Sequence, residues 1–278
     1  MERFDPIQYK FKTRTNWNTV AHQYHVKWAS NDIGPFRSTL EITKIADIKS
    51  NDIVLDLGCG TGAVSKKILE KLGKEGKLVA IDISREALNI AKKEIQKPNA
   101  YFLEMDLERV AFSINFTKVF CQFALMFLPF PEISLKTINE LMTKKGKILI
   151  SVHGKPEEVP YFSCIMNSII KFFPNIFPSG SPSVHALGDR EKLKNFLESA
   201  GFQTVHIFEY DFTYATLSFE DYWSNYMQVT ANSIKQIIQK DYNLFLQIKE
   251  DAKKNSQKFI KRGNLIFPWK VYIASAKK

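Results

Sequence analysis

A chain of 278 residues with 45% hydrophobic and 24% charged content can bury a substantial core, which sets aside disordered and fibrous classes. The formal charge of +10 comes mostly from lysines interspersed with acids (Lys66, Lys67, Glu70, Lys71), the pattern of solvated faces rather than a nucleic-acid stripe. The exception is a C-terminal cluster of Lys253, Lys254, Lys258, Lys261 and Arg262. Cys59, Cys121 and Cys164 have neither metal-ligand spacing nor a disulfide framework, residues 1–10 lack an apolar signal core, and the longest apolar run, 119–131, is too short to span a bilayer. A cytoplasmic protein without a metal centre, a secretory peptide or a membrane span is expected.

In chain order, Trp17, Val20, Ala21, Tyr24 and Trp28 recur at steps of three and four, one face of a helix. Residues 53–57 form a short apolar run stopped by glycines, which reads as a buried strand, and Val64, Ile68, Leu69 and Leu72 continue it as a helix ending near Gly73. A second strand spans 77–83. Ser84 is a suitable cap for a second helix that stops before Pro98. Strands follow at 100–105 and 118–123, then a helix at 132–142, a turn at 144–147 and a strand at 148–152. Segment 154–188, rich in proline and aromatic residues, reads as irregular. Residues 189–200 form a helix closed by Gly201, 203–210 a strand, 216–262 a mostly helical stretch and 269–276 a terminal strand. This alternation predicts an α/β fold with a parallel sheet and a ligand at the carboxyl ends of the strands.

The run Asp56-Leu57-Gly58-Cys59-Gly60-Thr61-Gly62 lies at a strand-to-helix junction, where glycines permit a sharp turn and close approach of a ligand to the N–H groups of the following helix. Gly58, Gly60 and Ala63 also satisfy a dinucleotide fingerprint, with Asp82 near the position of a ribose-binding acid. Asp56 tells the two apart: a carboxylate two residues before the first glycine repels a pyrophosphate and favours a cationic ligand such as S-adenosylmethionine (SAM). Asp82 is then placed to accept from two ribose hydroxyls and Asp106 from an adenine amino group, so three acids at successive strand ends meet on one rim.

These residues resemble the class I SAM-dependent methyltransferases, in particular the small-molecule branch that includes quinone-biosynthesis C-methyltransferases. VLDLGCGTG (54–62) is similar to the first motif of that family, VAIDIS (79–84) to its second, and Met105-Asp106-Leu107 to its adenine-binding turn. CQFALMFLPFPE (121–132), KKGKILISV (144–152) and LESAGFQTV (197–205) resemble its later core segments, and the stretch from Trp17 to Tyr24 its N-terminal segment. Phe130-Pro131 and Lys145-Gly146-Lys147 depart from the branch's pattern. The resemblance implies a Rossmann-like methyltransferase fold with a seven-stranded, mostly parallel sheet, helices on both faces and an α-helical lid. The expected organisation is an N-terminal helical cover (1–45), a SAM-binding core (46–153), lid inserts (154–188 and 211–265) and the rest of the sheet (189–210 and 266–278). It implies SAM as cofactor, S-adenosylhomocysteine (SAH) as product, and contacts from Tyr24, Asp56, Gly58, Cys59, Gly60, Gly62, Asp82, Ile83, Asp106, Leu107, Gln122 and Phe123.

A general base is required only if the acceptor must lose a proton. His153, at the end of the fifth strand, is the first candidate and His185 the second, ahead of His22 and His25. Leu128-Pro129-Phe130-Pro131 carries no polar group to grip an amine. A small apolar or aromatic acceptor is expected instead, under a lid lined by Phe162, Phe173, Phe177, Tyr214, Trp223 and Tyr226, with no nucleic-acid partner. A nicotinamide-dependent oxidoreductase and a non-catalytic nucleic-acid-binding module are the alternatives.

Overall fold

A computed structural model describes residues 4–230, 234–235 and 241–278. Helix α1 (Pro6–Lys27) begins where the Asp5 carboxylate accepts from the N–H groups of Ile7 and Gln8, with Pro6 in the first turn, where no intrahelical N–H bond is lost. Short 3₁₀ turns lead to α2 (Thr39–Ala46) and β1 (Ile53–Leu57). The core then alternates through α3 (Ala63–Leu69), β2 (Lys77–Asp82), α4 (Arg85–Glu94), β3 (Ala100–Glu104), β4 (Phe116–Gln122), α5 (Pro131–Glu140) and β5 (Met142–His153). It continues with α6 (Pro160–Phe172), α7 (Arg190–Ser199), β6 (Gln203–Thr216), α8 (Phe219–Val229), α9 (Tyr242–Ser256), the two-residue β7 (Ile260–Lys261) and β8 (Asn264–Lys277).

The sheet order is β3-β2-β1-β4-β5-β8-β6, with β7 paired to β8. Strands β1 to β5 pair in parallel, and β8 runs antiparallel to both β5 and β6. This is the Rossmann-like, mostly parallel sheet expected from the sequence. Right-handed crossovers put α3 and α4 on one face and α5 on the other. The order reverses between β1 and β4, which opens a crevice at their carboxyl ends. Val54, Leu55, Leu78, Ala80, Ile81, Val119 and Phe120 are buried on both sides of the sheet, which is why these strands read as continuous apolar runs.

The far side of the sheet departs from expectation. Strand β6 runs six residues beyond 210, to Thr216, and β8 starts at Asn264 rather than 269. Both extensions carry period-two patterns, with Tyr210, Phe212 and Tyr214 on one strand and Leu265, Phe267 and Trp269 on the other. The two strands therefore pair up to Thr216↔Leu265, past the end of β5 at His153↔Val271. The second insert accordingly starts after 216, not at 211. The expected turn at 144–147 instead belongs to β5, which shifts register against β4 beside Phe116 and Lys118. Segment 154–188, expected to be irregular, contains α6; Pro160 in its first turn starts a helix there rather than breaking one. Parts of the expected cover and lid, at 1–3, 231–233 and 236–240, lie outside the described residues.

Candidate active site

At the carboxyl ends of β1, β2 and β4 lies a cavity with about 1070 Å³ of empty volume, counting its open mouth. The glycine turn forms its floor. Gly58 and Gly60 have φ of +65° and +53°, and their N–H groups donate to Ile81 O and Asp82 Oδ2, both at 2.8 Å. A Cβ on Gly58 would lie 2.3 Å from the Ala124 Cβ, so any other residue there displaces the loop after β4. A Cβ on Gly60 would meet nothing within 4 Å, since that glycine faces the open cavity.

Three acids stand around this floor. Asp56 is 1% exposed and accepts from Ser65 Oγ at 2.6 Å; burial pushes its carboxyl up to about 7. Asp82 accepts from the N–H of Gly60 through one oxygen and of Ser84 through the other, both at 2.8 Å, and burial raises its pKa. Each of its oxygens keeps a second lone pair for a ligand hydroxyl. Asp106 caps the 3₁₀ turn Leu107–Arg109 by accepting from Glu108 N at 2.9 Å, and its other oxygen accepts from Lys10 Nζ at 2.7 Å.

Helix α1 roofs the cavity. Tyr9, Lys10, Thr13, Trp17, Ala21 and Tyr24 line it at helical spacing. The roof is fastened at both ends and in the middle. Lys10 pairs with Asp106 and Glu108, and Asn18 Oδ1 accepts from Ser84 Oγ at 2.9 Å and Glu86 N at 3.2 Å. A ring nitrogen of His25 lies 2.9 Å from Thr61 Oγ1. Trp17 packs edge-on against Tyr24 at 5.3 Å and Phe127 at 5.9 Å, while Tyr24 meets Phe36 at 5.5 Å, so aromatic walls continue the polar floor. Phe123 closes one end in the left-handed region (φ +57°), a strained backbone that a hydrogen bond from its N–H to Ser151 O helps to hold.

Of the residues the sequence singled out for the cofactor, Tyr24, Asp56, Gly58, Cys59, Gly60, Asp82, Ile83, Asp106, Leu107, Gln122 and Phe123 all line the cavity. Gly62 sits just behind it as the N-cap of α3. The Gln122 side chain is engaged with Thr39 Oγ1 and Ser38 Oγ and so fixes α2 to the sheet. The Cys59 thiol is buried and its pKa lies well above the ordinary value, so it stays protonated.

The two candidate bases are not among the lining residues. His153 is 3% exposed, stacked on Phe123 at 4.3 Å, and its Nδ1 accepts from Trp269 Nε1 at 3.3 Å; burial holds its pKa well below the ordinary value. His185 places Nδ1 2.7 Å from Gly154 O, and burial lowers its pKa too. Nor do the expected lid aromatics line the cavity. Phe162, Trp223 and Tyr226 are buried in packing, Tyr214 bonds Trp28, and Phe177 is exposed. Phe162, Tyr214 and Tyr226 pack around Tyr161, which stacks on Trp269 at 5.3 Å while Tyr222 and Tyr226 donate to the carbonyls of Tyr161 and Phe162; Trp223 packs on Phe219 and Phe245. The aromatic walls come instead from α1, Phe36 and the loop after β4. Sequence reasoning missed Tyr9, Lys10, Thr13, Phe36 and Phe127. The 3.6-residue period from Tyr24 back through Trp17 to Thr13 was the available signal for the first three.

A glycine turn after β1, acids at three strand ends and a roofed crevice at the strand-order reversal define a nucleoside-cofactor enzyme of Rossmann-like build. Residues 48–211, more than half of the chain, match the family model described as a methyltransferase domain. The chain is 28% identical over 221 residues to the ubiquinone/menaquinone biosynthesis C-methyltransferase UbiE of Blochmanniella pennsylvanica, covering 72% of this chain and 85% of the relative. It is 24% identical over 228 residues to a demethylmenaquinone methyltransferase of Bacillus cereus, covering 77% and 91%. In fold it resembles the Haemonchus contortus phosphoethanolamine N-methyltransferase 2 solved with phosphomonomethylethanolamine and SAH. That match has a TM-score of 0.60 at 14% identity and covers 97% of this chain and 60% of the other. The chain belongs to the methyltransferase-domain family. It is a SAM-dependent methyltransferase, which sets aside the nicotinamide and non-catalytic alternatives.

Proposed function

We propose that the enzyme transfers the methyl group of SAM to a small apolar or aromatic acceptor held against the aromatic walls of this cavity. The observation that carries the reading is the joining of two surfaces. An acidic, glycine-floored half suits a cationic nucleoside, and a half walled by Trp17, Tyr24, Phe36, Phe123 and Phe127 suits a flat apolar molecule. The curated relatives named above are quinone-pathway enzymes by name, and a quinone precursor is such a molecule.

In this reading Asp82 accepts from the ribose hydroxyls, Asp106 from the adenine amino group, and Gly58 and Gly60 let the methionine end approach the backbone. Ile83, Leu107 and Tyr24 pack the nucleoside, and Gly62 sets the turn. Asp56, ionised, faces the cationic end through direct or water-bridged contacts. When bound, the cofactor supplies a methyl group on a positively charged sulfur. The protein excludes water with its α1 roof and aligns the acceptor, an effect that can supply on the order of 7–11 kcal/mol. With no histidine among the lining residues, the acceptor that suits the site arrives already ionised or need lose no proton in the transfer step.

Three free, buried cysteines support a reducing, cytoplasmic setting. Among the described residues no helix is long and apolar enough to cross a membrane. The lysines read as solvated faces, so no nucleic-acid partner is proposed. The test is incubation with methyl-labelled SAM and an extract of the source cell. Label is expected in an organic-soluble small molecule identified by mass spectrometry. Label confined to RNA or protein would contradict the reading.

A further inference from the structure

The N-terminal half of α1 has two faces. One looks into the cavity through Tyr9, Lys10, Thr13 and Trp17. The adjoining one carries Ile7, 81% exposed, and Phe11, 61% exposed, one turn apart, with Arg14 a further turn on and its guanidinium over the Phe11 ring. Large apolar side chains this exposed need a reason when they stand together. Lys10, between them in sequence, pairs with Glu108, and Glu108 also accepts from the N–H of Phe130. Phe130, 45% exposed, and Ile133, 55% exposed, open α5 directly after the cavity-lining Leu128 and Pro129. An exposed apolar rim thus borders the cavity on both of the elements that enclose it.

Cations predominate on the α1 side of this rim, with exposed carboxylates at its edges in Asp5, the N-cap of α1, and Glu132 on α5. Helix α1 has no carboxylate in its 22 residues, and among the described residues Lys12 and Arg14 have no salt-bridge partner. Three further acids nearby are paired, Glu104 with Arg85 at 2.8 Å and Asp106 and Glu108 with Lys10. Exposed Glu132 on α5 is followed one turn later by Lys136. Cations beside protruding aliphatic and aromatic groups are the pattern of an element lying in the headgroup region of a bilayer, where the cations meet anionic lipid and the apolar groups enter the acyl boundary. A nucleic-acid surface would present stacking aromatics and cations without Ile7 and Ile133.

We infer that the rim formed by Ile7, Phe11, Phe130 and Ile133 docks the enzyme on an anionic lipid surface, so that an apolar acceptor passes from the bilayer to the cavity without crossing water. The inference rests on the acceptor reading above, yet its test needs no acceptor. The full-length protein is sedimented with vesicles of phosphatidylcholine alone and of phosphatidylcholine with phosphatidylglycerol. Binding only to the second, weakened by salt, is expected. Replacing Ile7→Ser and Phe11→Ser together should lower that binding by about tenfold or more while SAH affinity is unchanged. Leu217→Ser, at a 79% exposed leucine on the β6 turn, should leave vesicle binding as it was. Absence of wild-type binding to the anionic vesicles, equal binding by the double variant, or concentration-dependent self-association through Ile7 and Phe11 in their place would overturn the docking surface. Vesicle binding without methylation of any apolar acceptor would instead overturn the acceptor reading alone.

Discussion

Asp56 stands in the cavity floor with its carboxyl raised to about 7, burial being the largest cause and the Ser65 hydrogen bond opposing it. Its folded value lies above the ordinary carboxylate range of about 4. The associated stability is therefore complete below the unfolded value and lost progressively as pH rises from there to about 7, a contribution of at most about 4 kcal/mol. A cationic ligand reverses the preference, because it favours the ionised form. SAM affinity should accordingly rise by up to about tenfold from about pH 6 to about pH 8, and SAH, which has no sulfonium, should respond less. Asp56→Asn should flatten the SAM response and stabilise the apo protein above neutrality. Calorimetric titration at both pH values checks this, and identical slopes for the two ligands would contradict it.

His153 invites a different outcome. Stacked between Phe123 and the lid aromatics and held neutral by burial, it is a packing residue with a polar edge toward Trp269. His153→Gln should cost about 1–3 kcal/mol of stability in a denaturant titration and leave the pH dependence of kcat/KM in place. A lost ionisation in that profile would restore it as the base. The sequence pointed to strand ends in general, and three acids with the glycines followed from that. It could not tell a strand-end residue that faces the crevice from one that turns into the lid, because lid packing depends on Trp269, 116 positions away. Lys10 was hidden for the same reason, its partner Asp106 lying 96 positions along the chain.

At the scale of elements, α1 works as a latched roof. Its ties to Asp106, Ser84 and Thr61 cross the cavity, and Lys10 makes the one to Asp106, the acid proposed to meet the adenine. Lys10→Met should weaken SAH binding about fivefold, the scale of one partly exposed ion pair, and speed amide exchange in the first half of α1. Unchanged exchange would show that the ion pair does not hold the roof. The centre of the parallel sheet was legible because β1, β2 and β4 are short, largely buried apolar runs punctuated by glycine, serine and proline. The ends of β6 and β8 were not, because their outward-facing residues are polar or half-exposed, as in Asp211, Thr213 and Pro268, and resemble loop. Strand pairing stabilises these residues where local propensity does not.

Over the whole molecule, one division of labour recurs. The parallel strands place the three acids around the cavity floor, while the extended β6 and β8 hold the lid body of α6, α8 and α9 against the sheet. Tyr161, fully buried at the centre of that body, stacks on Trp269 and touches neither the floor nor the walls of the cavity. Tyr161→Ala should therefore cost about 3–5 kcal/mol of stability, as large core truncations do, with SAH affinity retained in the protein that remains folded. A stable variant, or one that folds but loses SAH, would place the lid body in the cofactor site.

The most direct measurement is calorimetric titration of SAH into the wild type and Asp82→Ala, with circular dichroism to establish that both are folded. Asp82 holds the glycine turn and, in this reading, the ribose, and hydrogen bonds to a charged group are each worth roughly 1.5–3 kcal/mol. Tight wild-type binding with an affinity at least about a hundredfold weaker in folded Asp82→Ala is the expected result. Equal affinities in two folded proteins, or no SAH binding by the wild type, would contradict the placement of the cofactor at the glycine turn.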